Sequence, residues 1–316
     1  MDLVGDVLRS MRSGEPISSR CFLRAPWGMR FPPVAGAGFH VLLQGSAWLV
    51  PPGGGDPLQL NVGDVVFVSH GRGHSLVDAP GAAEYELPPG AKGDVPEDLA
   101  IPNGSGAATT LLCGSYTFRD RRPHPLITAL PEVIHLPARI GPNLALRSIV
   151  DLLGAELAER GAGSSAAIPA LVDLLLLYLL RGWFEQQART GGDGWAAALN
   201  DLSIRTALDH IQRDPAAPWT VASLAERAGV SRATFARRFT ALLGESPLGY
   251  LTWWRMTRAE QLLTQTDDSM ASIAAQVGYR SEFAFGKAFK REFSLSPGVY
   301  RRRKRITDHP AESVDA

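Results

Sequence analysis

Two short stretches near the C-terminus carry residue types that can read a base pair. Ser231-Arg-Ala-Thr-Phe-Ala-Arg237 and Arg280-Ser-Glu-Phe-Ala-Phe-Gly-Lys287 each bring hydroxyl and charged side chains to the start of a predicted helix. Such groups can hydrogen-bond to base edges in the major groove of DNA. Each stretch follows a short apolar helical pattern ending in glycine. The first is Ser223-Leu-Ala-Glu-Arg-Ala-Gly229 and the second is Ser272-Ile-Ala-Ala-Gln-Val-Gly278. Glycine suits a tight turn because it adopts positive φ at little cost. The pattern therefore predicts a helix-turn-helix unit, present twice. The second helix of such a unit lies in the major groove, and two units in one chain can reach successive grooves roughly 34 Å apart.

A second set of reactive residues lies far upstream. Cys21 follows Arg20 and precedes Arg24, and a cationic neighbour can lower a thiol pKa. Cys113 is the only other cysteine. The alternative for both is a small buried hydrophobe. Two cysteines in 316 residues do not make a secreted disulfide framework, so a reducing cytoplasm is expected.

The elements that must position these groups differ between the two halves of the chain. Residues 205–305 hold 17 Lys+Arg against 9 Asp+Glu, whereas residues 1–204 hold 15 against 20. A basic segment joined to a slightly acidic one fits a nucleic-acid-binding domain joined to something else. The N-terminus lacks the basic and apolar regions of a signal peptide. The most apolar run, Leu171 to Leu180, contains Asp173 and falls short of the ~20 residues that span a bilayer, so no membrane partner is expected.

Helical spacing predicts a short amphipathic helix over 1–13. From 17 to 135, apolar runs at Phe39–Leu43, Ala47–Val50, Val65–Val68 and Thr109–Cys113 alternate with Gly and Pro. This is the texture of a small antiparallel β-barrel or sandwich. Residues 88–107 read as a long loop. Helices are expected at 143–160, 166–190 and 201–213, with a linker at Arg189-Thr-Gly-Gly-Asp-Gly194. The expected fold class is α+β and multidomain. A β-barrel over 1–140 is followed by a helical dimerisation segment at 141–190 and a linker at 191–204. An all-α double helix-turn-helix domain follows at 205–305, with units at 221–242 and 269–292, and then an acidic tail at 306–316.

The C-terminal third also resembles a known family. The ordered set Ser223-Leu-Ala, Gly229, Ser231, Phe239, Gly244-Glu-Ser-Pro247, Tyr250-Leu251, Arg255, Ala259, Leu262-Leu263, Ile273-Ala, Gly278-Tyr, Ser281, Phe289-Lys-Arg, Phe293, Ser296-Pro and Tyr300-Arg301 is similar to that of the AraC/XylS transcription regulators. The resemblance implies groove contacts from Ser231, Arg232, Ala233, Thr234, Ala236 and Arg237, and from Arg280, Ser281, Glu282, Phe283 and Lys287. Arg232 and Arg237 could pair bidentately with guanine, Ala233 could touch a thymine methyl, and Glu282 could accept from cytosine or cap its helix. Each basic residue could instead be a solvated charge or a phosphate contact. The run Arg301-Arg-Arg-Lys-Arg305 is either a phosphate holder or a solvated end. Double-stranded DNA is the implied partner, with RNA polymerase a further one.

The segment Gly36-Ala-Gly-Phe-His40, with Gly63-Asp64 and Gly73-His74, resembles the cupin-type sensory domain of the same family. A metal-binding cupin carries a His-x-His pair and a Glu, and here Val41-Leu42-Leu43 follows His40 without either. His40, His70 and His74 could still meet inside the barrel beside Cys113, a mixture that zinc accepts. The plainer reading makes His40 and His74 buried, hydrogen-bonded histidines of an effector pocket. Some regulators with such input domains respond to oxidants through paired cysteines, which would give Cys21 and Cys113 a redox role. The helices at 143–190 offer Leu171, Leu174, Leu175, Tyr178 and Leu179 for a homodimer. Two other functions stay open: a cupin-type metal enzyme fused to a DNA-binding domain, and a DNA binder with no effector.

Overall fold

Alternation of burial from Ser19 to Arg24, within Ile17–Arg24 (β1), sets the first layer. Ser19, Cys21 and Leu23 face inward, while Arg20, Phe22 and Arg24 face water. Side chains of a strand point alternately to its two faces, so this pattern fixes which face is core. The computed structural model describes residues 5, 16–87, 104–117, 124–138, 144–159 and 161–308, with side chains to 303. The predicted helix at 1–13 apart from Gly5, most of the 88–107 loop and the 309–316 end of the acidic tail fall outside these residues. The chain divides into two compact units between Thr190 and Gly191.

In the N-terminal unit the strands are β1, Gly28–Phe31 (β2), Gly36–Gln44 (β3), Ala47–Val50 (β4), Leu58–Leu60 (β5), Val65–Val68 (β6), His74–Val77 (β7), Tyr85–Glu86 (β8), Ala108–Thr117 (β9) and Val133–Leu136 (β10). All four apolar runs of the sequence reading fall on strands. They form two five-stranded sheets, ordered β1-β9-β3-β6-β10 and β5-β4-β7-β2-β8. Pairing is antiparallel except between β2 and β8. Among the described residues no strand pairing closes the sheets into a barrel. The apolar core contains Leu23, Met29, Leu42, Leu49, Leu76 and Leu111, each 4% exposed or less.

Asp64 pins the turn before β6. Its carboxylate accepts from Asn61 N at 3.0 Å, Ala138 N at 2.9 Å and His135 Nε2 at 3.0 Å. Burial opposes ionisation, but these hydrogen bonds outweigh it and hold the carboxyl below the usual range.

A short helix, Pro125–Thr128 (α1), precedes β10, and Leu144–Glu159 (α2) and Ser164–Arg189 (α3) follow it. α2 and α3 pack on each other, and both touch β1. Tyr116 of β9 donates its hydroxyl to the Val172 carbonyl of α3. By length and composition alone, α3 is long and apolar enough to cross a membrane. Here Val172, Leu175, Leu176, Leu179, Leu180 and Phe184 are buried within the unit.

The C-terminal unit is all helical: Trp195–Asn200 (α4), Leu202–Arg213 (α5), Val221–Arg227 (α6), Arg232–Leu243 (α7), Pro247–Gln265 (α8), Met270–Gln276 (α9), Glu282–Phe293 (α10) and Pro297–Asp308 (α11). The span 191–204, read as a linker, holds α4 and the start of α5. Trp195 is 3% exposed and its ring lies 6.1 Å from that of Tyr250. α8 is the spine of the unit. Its first half buries Tyr250, Leu251 and Trp254 beside α5 and α7, and its second half buries Met256, Ala259 and Leu263 beside α9, α10 and α11. Pro247 begins it, where a missing N–H costs little.

Candidate nucleic-acid interface and sensory core

Each helix-turn-helix turn is made by a glycine. Gly229 lies at φ +69° and Gly278 at φ +78°. At Gly278 any side chain would also meet Arg255 Nη2 at 2.7 Å and Ala216 O at 2.9 Å. Behind the turns, Phe235 and Phe239 anchor α7, while Phe285, Phe289 and Phe293 anchor α10, all buried. A four-residue spacing puts these rings on one helix face, leaving the opposite face free.

The residues expected from the sequence lie at the N-terminal ends of α7 and α10 and, for Ala233, Arg237, Phe283 and Lys287, on that opposite face. Ser231, Arg232, Ala233, Arg237, Arg280, Ser281, Glu282, Phe283 and Lys287 are exposed, and Thr234 and Ala236 are half-buried. Ser231 and Ser281 also have a structural task. Their hydroxyls accept from Thr234 N at 3.2 Å and Ala284 N at 3.1 Å, capping α7 and α10.

Three arginines serve the scaffold. Arg255 of α8 donates to Pro215 O at 2.7 Å and Ala217 O at 2.9 Å. It thus ties the loop before α6 to the spine, and its guanidinium sits 5.9 Å from the Tyr279 ring. Arg301, the first residue of the basic run, donates to Leu263 O and Asp268 O. That run is therefore the body of α11, and its first arginine is a backbone clamp. Arg238, next to Arg237, pairs with Asp201, the residue that caps α5. Nothing in the sequence pattern separates Arg237 from Arg238, since their partners lie elsewhere in the chain.

In the N-terminal unit the structure brings together some of the chosen residues and leaves one out. His40 on β3 and His74 on β7 meet across the two sheets, Nε2 to Nε2 at 2.7 Å. Phe31 packs on both rings, with centroids at 4.6 and 4.9 Å. Burial drives both imidazoles towards the neutral form, pushing His74 down to about 4 and His40 well below its ordinary value. His70 does not join them. It is exposed and bonded to Leu130 O at 3.0 Å.

Cys21 and Cys113 are buried free thiols in hydrogen-bond contact, and Cys113 lies directly opposite His40 across the β3–β9 pairing. The contact with Cys21, reinforced by burial, raises the Cys113 pKa and keeps it a thiol. Arg20 and Arg24 lie on the outer face of β1, so strand alternation turns them away from the sulfur that they were expected to activate. Among the described residues no three His, Cys, Asp or Glu side chains converge as a metal site would require. As placed, the histidines bond to each other, so the donor set does not fit zinc.

A cleft of about 550 Å³ went unnoticed in the sequence. It opens between the ends of β3, β6 and β10 and the helices α2 and α3, with Leu43, Val65 and Val150 in its wall and Arg147 and Arg189 on it. Its lining comes from five separate segments, which no local pattern could announce.

Comparison with known proteins agrees with both halves. The Cupin family profile matches residues 2–185, and a Helix-turn-helix domain profile matches residues 224–303. A putative AraC-like transcription regulator from Streptomyces lividans is 33% identical, with 96% of this chain and 98% of that protein covered. The HTH-type transcriptional regulator MtrA of Neisseria gonorrhoeae is 29% identical over 90% and 92%. The RCS-specific HTH-type transcriptional activator RclR of Escherichia coli K12 is 32% identical over 83% and 90%.

Proposed function

Because this chain belongs to the AraC family of DNA-binding transcription regulators and carries a cupin N-terminal domain, we propose that the cupin domain senses a redox signal and passes it to DNA binding. The observation that carries this reading is the contact of two buried thiols, Cys21 and Cys113, on neighbouring strands. Their oxidation forms one S–S bond and releases two protons and two electrons. The acceptor is an oxidant of the peroxide or hypohalite class. The sulfurs then close to about 2.05 Å, shifting β1 against β9. α2 and α3 rest on β1, and α3 ends where the second unit begins. An input of this kind moves the equilibrium only by its differential effect on the two arrangements.

The test uses the whole protein and a DNA site selected from a random library. Oxidant should change its affinity for that site, with a Cys21–Cys113 disulfide seen by mass spectrometry. Cys21→Ser and Cys113→Ser should each abolish the change and leave the reduced-state affinity intact. A full response in both variants removes the redox reading. A small effector is the second reading, favoured by the cleft, whose volume lies in the range of ligand sites.

On this reading the protein is a cytoplasmic sensor, with RNA polymerase as a partner on the promoter. It is a regulator without catalytic activity, since the His-x-His pair of metal cupins is missing after His40. We place homodimerisation on α3, with a narrower surface than the sequence suggested. Leu175 and Leu179 are buried inside the unit, which leaves Leu171, Leu174 and Tyr178 on the outer stripe. Sedimentation showing a monomer at high micromolar concentration removes this element. Ten exposed or half-buried residues of α7, α10 and their N-terminal caps, with Arg280 just before the second cap, form the proposed DNA-reading surface.

A further inference from the structure

Phe283 stands where a reading helix meets DNA, yet it cannot make a hydrogen bond to a base. It is 83% exposed, the highest value among the large exposed apolar residues described. Helical geometry accounts for the exposure. Phe285, Phe289 and Phe293 fill the core side of α10, and Phe283, two residues before Phe285, lies about 200° round the helix from it. Lys287 and Lys290 follow on the same exposed face, one and two turns on. Between Phe283 and Lys287, Gly286 has nothing within 4 Å of the position a Cβ would take. The face therefore presents a phenyl ring at its N-terminal tip, then open backbone, then two ammonium groups.

The first unit differs at the same place. Its N-cap Ser231 and core residues Phe235 and Phe239 align with Ser281, Phe285 and Phe289, so Ala233 occupies the Phe283 position and Arg237 the Lys287 position. One head offers a methyl group and a guanidinium, while the other offers an aromatic ring and an ammonium. The major groove has one apolar feature, the C5-methyl of thymine.

We propose that Phe283 makes the second unit a reader of the thymine C5-methyl group. This rests on the reading that α10 enters the major groove. A phenyl ring against that methyl distinguishes thymine from cytosine, which has no methyl group, and accepts 5-methylcytosine, which carries the same group. Ala233 is too short to cover a methyl as fully, so methyl dependence belongs mainly to the second half of the site.

The experiment starts with a duplex selected from a random library by the full-length protein. The duplex is resynthesised with deoxyuridine replacing each thymine in turn. Wild-type protein should lose about fourfold in affinity at one or two thymines of one half-site, the worth of burying one methyl. Replacing such a T·A pair by C·G should weaken binding, and 5-methylcytosine·G should bind more tightly than C·G. Phe283→Ala should bind the thymine and uracil duplexes equally, and Phe283→Leu should keep part of the difference. The ring has no packing role, so the melting temperature of both variants should match wild type. A thymine-to-uracil ratio unchanged by Phe283→Ala, or a selected half-site without thymine, overturns the proposal. Failure of the underlying reading looks different: Lys287→Ala and Arg280→Ala would then leave both affinity and selected sequence unchanged.

Discussion

His40 donates its Nε2–H to the bare Nε2 of His74, and the direction follows from their neighbours. His74 Nδ1 lies 3.2 Å from the Arg72 carbonyl, which can only accept, so the proton of neutral His74 is on Nδ1. His74 Nε2 then carries a lone pair, and the 2.7 Å contact needs the proton of His40. Among the described residues, His40 Nδ1 is left as a buried acceptor without a partner. This hydrogen bond thus joins the two sheets. Adding a proton to His74 Nε2 would set two N–H groups against each other.

Stability of the N-terminal unit should fall on acidification. Burial depresses the pKa of His40, of His74 to about 4, and of His124 to about 3. A depressed value means that the unfolded chain takes up protons first, beginning near its own pKa of about 6.5. The contribution is therefore fully present above pH ~6.5 and is lost as pH drops towards 4. Each histidine adds at most about 1.4 kcal/mol per pH unit to the slope. Denaturant unfolding of the full chain at pH 7 and pH 5 should show the loss in the transition of this unit. Equal midpoints at the two pH values would count against neutral buried histidines.

Asp64→Asn should weaken the same unit by about 1–3 kcal/mol, since an amide cannot accept from all three of Asn61 N, Ala138 N and His135 Nε2. DNA affinity of the folded protein should stay within twofold. An unchanged unfolding midpoint would show that the three donors find other partners.

Helices α7 and α10 end alike, but with different residues. Gly244 closes α7 at φ +71°, whereas Ser294 closes α10 at φ +60°. A serine there bears a left-handed cost that glycine escapes, typically 1–2 kcal/mol per residue, offset in part by the greater freedom of glycine in the unfolded chain. Ser294→Gly should therefore stabilise the C-terminal unit by about 0.5–1 kcal/mol, read as a higher melting temperature. A lower one would mean that the serine side chain contributes more than its backbone costs.

The double helix-turn-helix was legible because its signals are local. The glycine turns, the four-residue phenylalanine spacing and Pro247 each act within one or two helical turns. The core of the N-terminal unit was legible only in part. Strand alternation around Cys21 sends Arg20 and Arg24 outward, but the eye that reads sequence neighbours as spatial ones joins them to the thiol. The meeting of His40 with His74, and the departure of His70, depend on which sheet each strand joins. That is a long-range choice with no local marker. Gly191-Gly-Asp-Gly194 hid α4, because a glycine-rich run reads as a linker even when the tryptophan after it is buried. Ser231 and Ser281 were expected at the groove, and the structure gives them a capping role, since a hydroxyl at a helix start suits both tasks.

Arg237 and Arg238 give the sharpest separation between reading and scaffolding. They are adjacent and both exposed, but Arg238 pairs with Asp201 and so ties α7 to the start of α5. Arg237→Ala should cost about 1–3 kcal/mol of DNA affinity and relax preference at one base position, without lowering the melting temperature. Arg238→Ala should leave base preference unchanged and slightly lower the melting temperature, since a half-exposed pair contributes at most about 1 kcal/mol. Site selection with each variant, alongside thermal unfolding, measures both quantities. Equal loss by Arg237→Ala on all sequences, with a salt dependence shallower by about one ion, would place Arg237 on a phosphate. The bidentate contact to guanine would then have to come from Arg232.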